Sequence, residues 1–217
     1  MSEKENIPDF NKGESSSLDE KRKIVIIGDD KVGKSAIIKK FLENKFNEEY
    51  KATIMGEVFL FYTELYKKCF NFILYETSSE KVFKTLSHCI WKDSSWVILV
   101  YDITKKGTYD NIDAWIKELE ENEIKSKIII VGNKADLENR AVLKEEAEKK
   151  YGGKLKKIME CSATREEDVK KIFYEVSKPY YEQYLKKRRR KKQEEERKQK
   201  EDFKILDLSP SKKFYKK

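Results

Sequence analysis

Cysteine is scarce in this chain and histidine almost missing: 217 residues hold three cysteines, Cys69, Cys89 and Cys161, and one histidine, His88. No two cysteines stand in a C-x-x-C spacing and no histidine cluster accompanies them, so neither a zinc site nor a disulfide framework is encoded, and a reducing compartment is expected. His88 has no nucleophilic or metal-ligating partner by spacing, which leaves it a structural role. Long apolar runs are also absent. No stretch approaches the roughly 20 apolar residues that a membrane-crossing helix requires, and the opening residues, MSEKENIPDFNKGESSSLDEKRK, lack the apolar centre of a signal peptide. The expected setting is cytoplasmic, with at most a peripheral place on endomembranes.

Charge, by contrast, is abundant. Charged residues make up 41% of the chain, 48 Lys and Arg against 40 Asp and Glu, for a formal charge of +8. With 38% apolar residues, the length suits one α/β core plus tails. Much of the positive surplus lies late: Lys186 to Lys200 contains ten basic and three acidic residues and no Gly or Pro to stop a helix. The expected organisation is a disordered polar arm over 1–20, a globular domain over 21–185 and a basic extension over 186–217.

Three β-branched runs, Ile24 to Ile27, Val97 to Tyr101 and Ile128 to Val131, are apolar almost throughout, as strands buried on both faces should be. Helical spacing intervenes at Ala36, Ile37, Phe41 and Leu42, then at Ile112, Trp115, Ile116 and Leu119, and later at Val169, Ile172, Phe173 and Val176. Phe59 to Tyr66 and Phe70 to Tyr75, with Lys67-Lys68 as the turn, read as a hairpin placing an antiparallel edge on a parallel sheet. Strands alternating with helices predict a doubly wound α/β fold. Trp91, Trp96 and Trp115 read as core or partner-facing surface.

Directly after the first strand comes Gly28-Asp-Asp-Lys-Val-Gly33-Lys34-Ser35, which matches G-x-x-x-x-G-K-[ST]. Glycines let backbone N–H groups close around phosphate oxygens, Lys34 places a cation between the β- and γ-phosphates, and the Ser35 hydroxyl can ligate magnesium. ATPases and nucleoside kinases share this loop, so it does not name the base. Asn133-Lys134-Ala135-Asp136 follows the strand Ile128 to Val131, and Cys161-Ser162-Ala163 precedes another helix. A carboxylate at Asp136 can accept hydrogen bonds from N1–H and the N2 amine of guanine, which adenine does not offer in that arrangement.

Together these motifs, with Tyr101-Asp102-Ile103-Thr104 and Arg140-Ala-Val142, resemble the small GTPases of the Ras superfamily from about Lys21 to Tyr184, most of all the Rab branch and its endosomal members. The resemblance implies a P-loop G domain: a mostly parallel six-stranded sheet with one antiparallel edge strand and helices on both faces. It implies GTP or GDP as ligand with Mg2+, and exchange factors and effectors as partners through the switch surface. The implied nucleotide contacts are Asp30, Lys31, Val32, Gly33, Lys34, Ser35 and Ala36 of the phosphate loop, then Phe46, Tyr50, Thr53 and Ser79 of the switches. At the base they are Asn133, Lys134, Asp136, Leu137, Ser162, Ala163 and Thr164. Within that set, Phe46 would stack edgewise on guanine, Tyr50 would close over the phosphates, Asn133 would tie its loop to the phosphate loop, and an Ala163 amide would meet guanine O6. The implied magnesium ligands are Ser35, Thr53 and, through water, Glu76.

Four positions depart from the family pattern. Where the second switch reads Trp-Asp-Thr-Ala-Gly-Gln-Glu, this chain has Tyr75-Glu76-Thr77-Ser78-Ser79-Glu80-Lys81. Glu76 is longer than Asp by about 1.5 Å, one C–C bond, so its water-mediated hold on magnesium must be re-spaced. Ser79 replaces a glycine whose freedom in φ lets its N–H swing to the γ-phosphate. Glu80 stands where glutamine positions the attacking water and, when ionised, cannot donate to the transferred phosphoryl group. Asp30 sets a carboxylate where the family prefers a small residue. The expectation is a Rab-like switch in vesicle or membrane traffic with slowed or altered hydrolysis, or else a non-catalytic guanine-nucleotide module that serves as a partner-binding scaffold.

No cysteine follows Cys161, so a prenyl anchor of the usual Rab kind is not expected. The seven consecutive basic residues Lys186 to Lys192 read as a solvated helical extension, with contact to anionic membrane as a second use and nucleic acid as a less expected one.

Overall fold

The computed structural model describes residues 10–12, 21–43, 56–65, 68–77, 84–152 and 157–207. Its first compact unit runs from Met1 to Val176 and holds one seven-stranded sheet. The strands are β1 (Phe10–Lys12), β2 (Arg22–Gly28), β3 (Glu57–Leu65), β4 (Lys68–Glu76), β5 (Trp96–Asp102), β6 (Lys127–Asn133) and β7 (Lys157–Glu160). In space their order is β1-β3-β4-β2-β5-β6-β7. The five from β4 to β7 are parallel, and β3 runs antiparallel to β4. This is the expected six-stranded G-domain sheet with one addition. Phe10–Lys12 pairs antiparallel with Thr63 to Phe61, so the reading of 1–20 as a structureless arm is corrected at these three residues. An exposed edge has unpaired N–H and C=O groups that accept any extended segment, whatever its composition. The hairpin is also shifted: Leu65 pairs with Lys68, so Lys68 belongs to β4 rather than to the turn.

Strand alternation sends Ile24 and Ile26 to one face of the sheet and Val25 and Ile27 to the other. All four are fully buried because helices cover both sides. On one face, Phe41 of α1 (Lys34–Glu43) stacks on Phe173 at 3.6 Å between ring centroids and meets Phe61 edge-on at 5.0 Å. Phe173 belongs to the first turns of α6, which starts at Glu166. On the other face, Val25, Ile27, Val97 and Leu99 pack with Trp91, Ile112, Leu119 and Tyr151. These residues come from α2 (Lys84–Trp91), α4 (Ile112–Glu121) and α5 (Lys144–Tyr151), with the short α3 (Lys106–Asp110) before α4. Each such aromatic or aliphatic side chain contributes about 1.5–3 kcal/mol by leaving water.

Residues 177–217 form the second unit, so the boundary expected near Leu185 falls inside it. There α6 continues to Asp207 with residues 186–202 exposed, and Lys192–Glu196 and Arg197–Glu201 pair one turn apart at 3.9 and 3.3 Å. Among the described residues no helix is long and apolar enough to cross a membrane.

Candidate functional site

Strand β2 lies between β4 and β5, so the connections leaving β2 and β5 diverge and open a crevice at the carboxyl ends of the strands. The carboxyl end of β2 is Gly28, whose φ is +138° and where a Cβ would stand 2.2 Å from the Val100 carbonyl oxygen of β5. Glycine alone fits that approach. The loop then turns through left-handed geometry at Lys31 (φ 62°) and Gly33 (φ 97°) before α1 begins. Left-handed residues in such a loop curl backbone N–H groups toward one concave side, and a helix N-terminus adds a partial positive charge there.

Lys34 is buried, and its ammonium donates to the carbonyls of Gly28 at 2.9 Å and Asp29 at 2.7 Å. Burial lowers its pKa, with Glu76, Asp30 and Asp29 opposing. Ser35 Oγ donates to Glu76 Oε1 at 2.5 Å. Glu76 is 2% exposed, and burial raises its pKa against the Ser35 hydrogen bond and Lys34. A buried carboxylate joined to a hydroxyl, with its own charge incompletely offset, is a donor set that fits a hard divalent cation. The extra methylene of Glu76 is thereby accommodated: the carboxylate still reaches the serine at the start of α1.

The carboxyl end of β6 supplies the other half. Asn133 is 1% exposed, donates from Nδ2 to the Val32 carbonyl at 2.9 Å and accepts at Oδ1 from the Ala163 amide at 3.1 Å. One side chain thus ties together the phosphate loop, its own loop and the loop after β7. Lys134, in left-handed geometry (φ 69°), pairs with Asp102 at 2.6 Å. Burial of Asp102 favours its protonated form, but hydrogen bonds from Lys134 and Thr104 outweigh it and leave the carboxyl below its ordinary range. Asp136 Oδ1 accepts from Ser162 Oγ at 2.5 Å, and Ser162 Oγ lies 2.6 Å from Thr164 Oγ1. The Ser162 amide donates to Asp168, in the first turn of α6, at 3.1 Å. Leu137 stands 44% exposed beside this group. Beneath it Cys161 is fully buried, and burial pushes its thiol up to about 12.

The structure therefore brings Lys34, Ser35, Glu76, Asn133, Lys134, Asp136, Ser162, Ala163 and Thr164 to one edge of the sheet. Asp30 and Lys31 are exposed on the same loop. Phe46, Tyr50, Thr53, Ser79 and Glu80 lie outside the described residues. The Ala163 amide, expected at guanine O6, donates here to Asn133 Oδ1. Residues given no role in the site from the sequence also take part. Asp102 orients Lys134, Asp168 fixes Ser162, and Asp29 is held by Asn111 and Trp115. An acidic residue closing a buried strand, as Asp102 does after Tyr101, was the one local signal available. Trp91 and Trp96 are core, whereas half-buried Trp115 bonds into the site. His88 pairs with Glu118 at 2.9 Å.

A family model for the Ras family matches residues 23–182. Ras-related protein SEC4 of Saccharomyces cerevisiae is 31% identical over 167 residues, 76% of this chain and 78% of that one. Ras-related protein RABA1g of Arabidopsis thaliana is 33% identical over 161 residues, 73% and 74% of the two chains. Ras-related protein Rab-11A of Dictyostelium discoideum is 31% identical over 172 residues, 78% and 80%. With the phosphate loop, the asparagine tie and the Asp136–Ser162 pair assembled on a doubly wound sheet, and the family match spanning that whole assembly, this chain belongs to the Ras family of small GTPases and is Rab-like.

Proposed function

We propose that residues 21–185 form a guanine-nucleotide switch domain that binds GTP or GDP with Mg2+, and that the basic extension 186–217 serves it as an accessory contact. The observation that carries this reading is Asn133, which couples a phosphate loop to a base-recognising loop. Lys34 exchanges its two carbonyl partners for the β- and γ-phosphates. Ser35 and Thr53 would hold the metal directly and Glu76 would hold it through water, and Mg2+ bound there would supply positive charge to offset that of the phosphates. Asp136 takes guanine N1–H and N2, and the Lys134 stem, steadied by Asp102, lies along the base. Phe46 and Tyr50 close over base and phosphates.

Hydrolysis is slowed relative to the family. Asp30 adds a negative charge on the phosphate loop, and Glu80, where a glutamine is usual, holds the attacking water without a donor for the phosphoryl group. The likeness to Rab proteins supports a place in vesicle or membrane traffic, with exchange factors and effectors at the switch surface and Lys186 to Lys192 available to anionic lipid. Such a run gives roughly 1 kcal/mol per basic residue near the surface. Nucleotide extracted from the purified full chain is the direct test, followed by single-turnover hydrolysis with and without Mg2+. Bound guanine nucleotide with slow Mg2+-dependent turnover is expected. Displacement by ATP as effective as by GTP would sink the reading, whereas bound nucleotide without turnover would make the chain a non-catalytic scaffold.

A further inference from the structure

Helix α4 and the residue before it present Asn111, Trp115 and Glu118 four and three positions apart, one stripe of a helix. Asn111 Nδ2 donates to Asp29 Oδ2 at 2.7 Å and Trp115 Nε1 donates to Asp29 Oδ1 at 2.8 Å, so each oxygen of one carboxylate has a partner on α4. The backbone carbonyl of the same Asp29 accepts from Lys34 Nζ at 2.7 Å. Asp29 therefore links helix and lysine through a single residue. The Trp115 ring meets Trp91 at 6.1 Å and 62°, an edge contact with a fully buried indole that fixes its orientation from behind. On its far side the loop is held by the Asn133 bond to the Val32 carbonyl at 2.9 Å. Between the two clamps lie exposed Asp30 and left-handed Lys31.

We propose that Asn111 and Trp115 are positioning residues for the phosphate loop, acting through Asp29 to hold it in the shape that takes a nucleoside di- or triphosphate. Neither side chain touches the ligand. Their hydrogen bonds end on a charged acceptor, which makes each stronger than a bond between neutral groups. A loop that holds the non-glycine Lys31 in left-handed geometry is strained and needs such anchors to keep that conformation. The inference rests on the nucleotide-binding reading above and adds to it the helix that shapes the loop.

The test uses the full chain and the release rate of a fluorescent GDP analogue in Mg2+. Trp115→Phe keeps an aromatic ring against Trp91 but removes the N–H together with part of the indole; it is expected to speed release about five- to tenfold, chiefly through the loss of one hydrogen bond to a charged group at a half-exposed site. Asp29→Ala speeds release at least as much. The double variant releases no faster than Asp29→Ala alone, because the bond is already gone. Affinity for guanosine, which has no phosphate for the loop to hold, stays unchanged across the set. Should Asp29→Ala fail to fold, Asp29→Asn takes its place in the cycle and Asn111→Ala provides an independent variant. Unchanged release in Trp115→Phe, a double variant whose two effects multiply, or a matching loss of guanosine affinity would each overturn the proposal. A parent chain that does not retain GDP would refute the nucleotide reading instead.

Discussion

Truncating Asn133 to alanine removes both hydrogen bonds that join three loops at the carboxyl edge of the sheet. The Val32 carbonyl loses its donor at 2.9 Å and the Ala163 amide its acceptor at 3.1 Å, at a position only 1% exposed. A buried group left without a partner costs about 1–3 kcal/mol, and a carbonyl with a second lone pair lies toward the lower end, so Asn133→Ala should destabilise the metal- and nucleotide-free chain by roughly 2–4 kcal/mol. Asn133→Asp retains an acceptor for Ala163 but sets a carboxylate oxygen against the Val32 carbonyl. It should be at least as damaging at neutral pH and recover partly on acidification, when the protonated acid can donate. Gly33 supplies an internal check. A Cβ there would stand 2.3 Å from Asn133 Nδ2, and the atoms it meets both belong to Asn133. In the Asn133→Ala background the steric part of Gly33→Ala disappears, leaving the left-handed φ, which costs about 1–2 kcal/mol. Urea unfolding of the parent, the three single variants and the double variant, followed by circular dichroism, measures this directly. A loss below about 1 kcal/mol for Asn133→Ala, the lower limit for one orphaned buried group, would refute the reasoning, as would a Gly33→Ala cost equal in both backgrounds.

Other outcomes follow from the same geometry. Asp136→Asn should shift preference from guanosine toward xanthosine nucleotides, since an amide replaces the carboxylate proposed to accept from guanine; competition binding checks it, and unchanged selectivity counts against the proposed base site. Burial raises the Glu76 pKa above its ordinary 4.5, so the ionised form opposes folding: this penalty is absent at acidic pH, grows as pH rises through the interval above 4.5, and is complete beyond the raised value. Glu76→Gln should therefore match or exceed the parent in stability at pH 7.5 in EDTA, with the difference shrinking toward pH 5, yet hold GDP less well in Mg2+. Urea titrations across that range read it, and a difference independent of pH would exclude the charged, buried state of Glu76. Among the thiols, exposed Cys89 should react with a thiol reagent at pH 8, while Cys161, fully buried and pushed up to about 12, reacts only on unfolding. Mass spectrometry of the labelled chain shows which; early labelling of Cys161 would contradict its burial.

The linear chain determined the features that depend on neighbours in sequence. Gly28 to Ser35 follows a β-branched run because a phosphate loop is a strand-to-helix turn, and all of its chemistry lies within eight residues. Asn133 to Asp136 is equally local, and the helical stripes at Ile112 to Leu119 and Val169 to Val176 have the spacing that buried faces require. The tertiary structure alone decided which groups meet. Asp29 lies 82 residues from Asn111 and 86 from Trp115, and Ser35 lies 41 from Glu76, so no periodicity links them. That Ala163 serves the Asn133 tie, that Asp102 steadies Lys134, and that Phe10–Lys12 occupies the β3 edge follow from strand order, which brings the ends of distant segments together. Short polar residues in loops carry no pattern of their own. Their partners are set by the packing of apolar strands and helices, whose burial outweighs any single hydrogen bond and so fixes the frame on which the site is arranged.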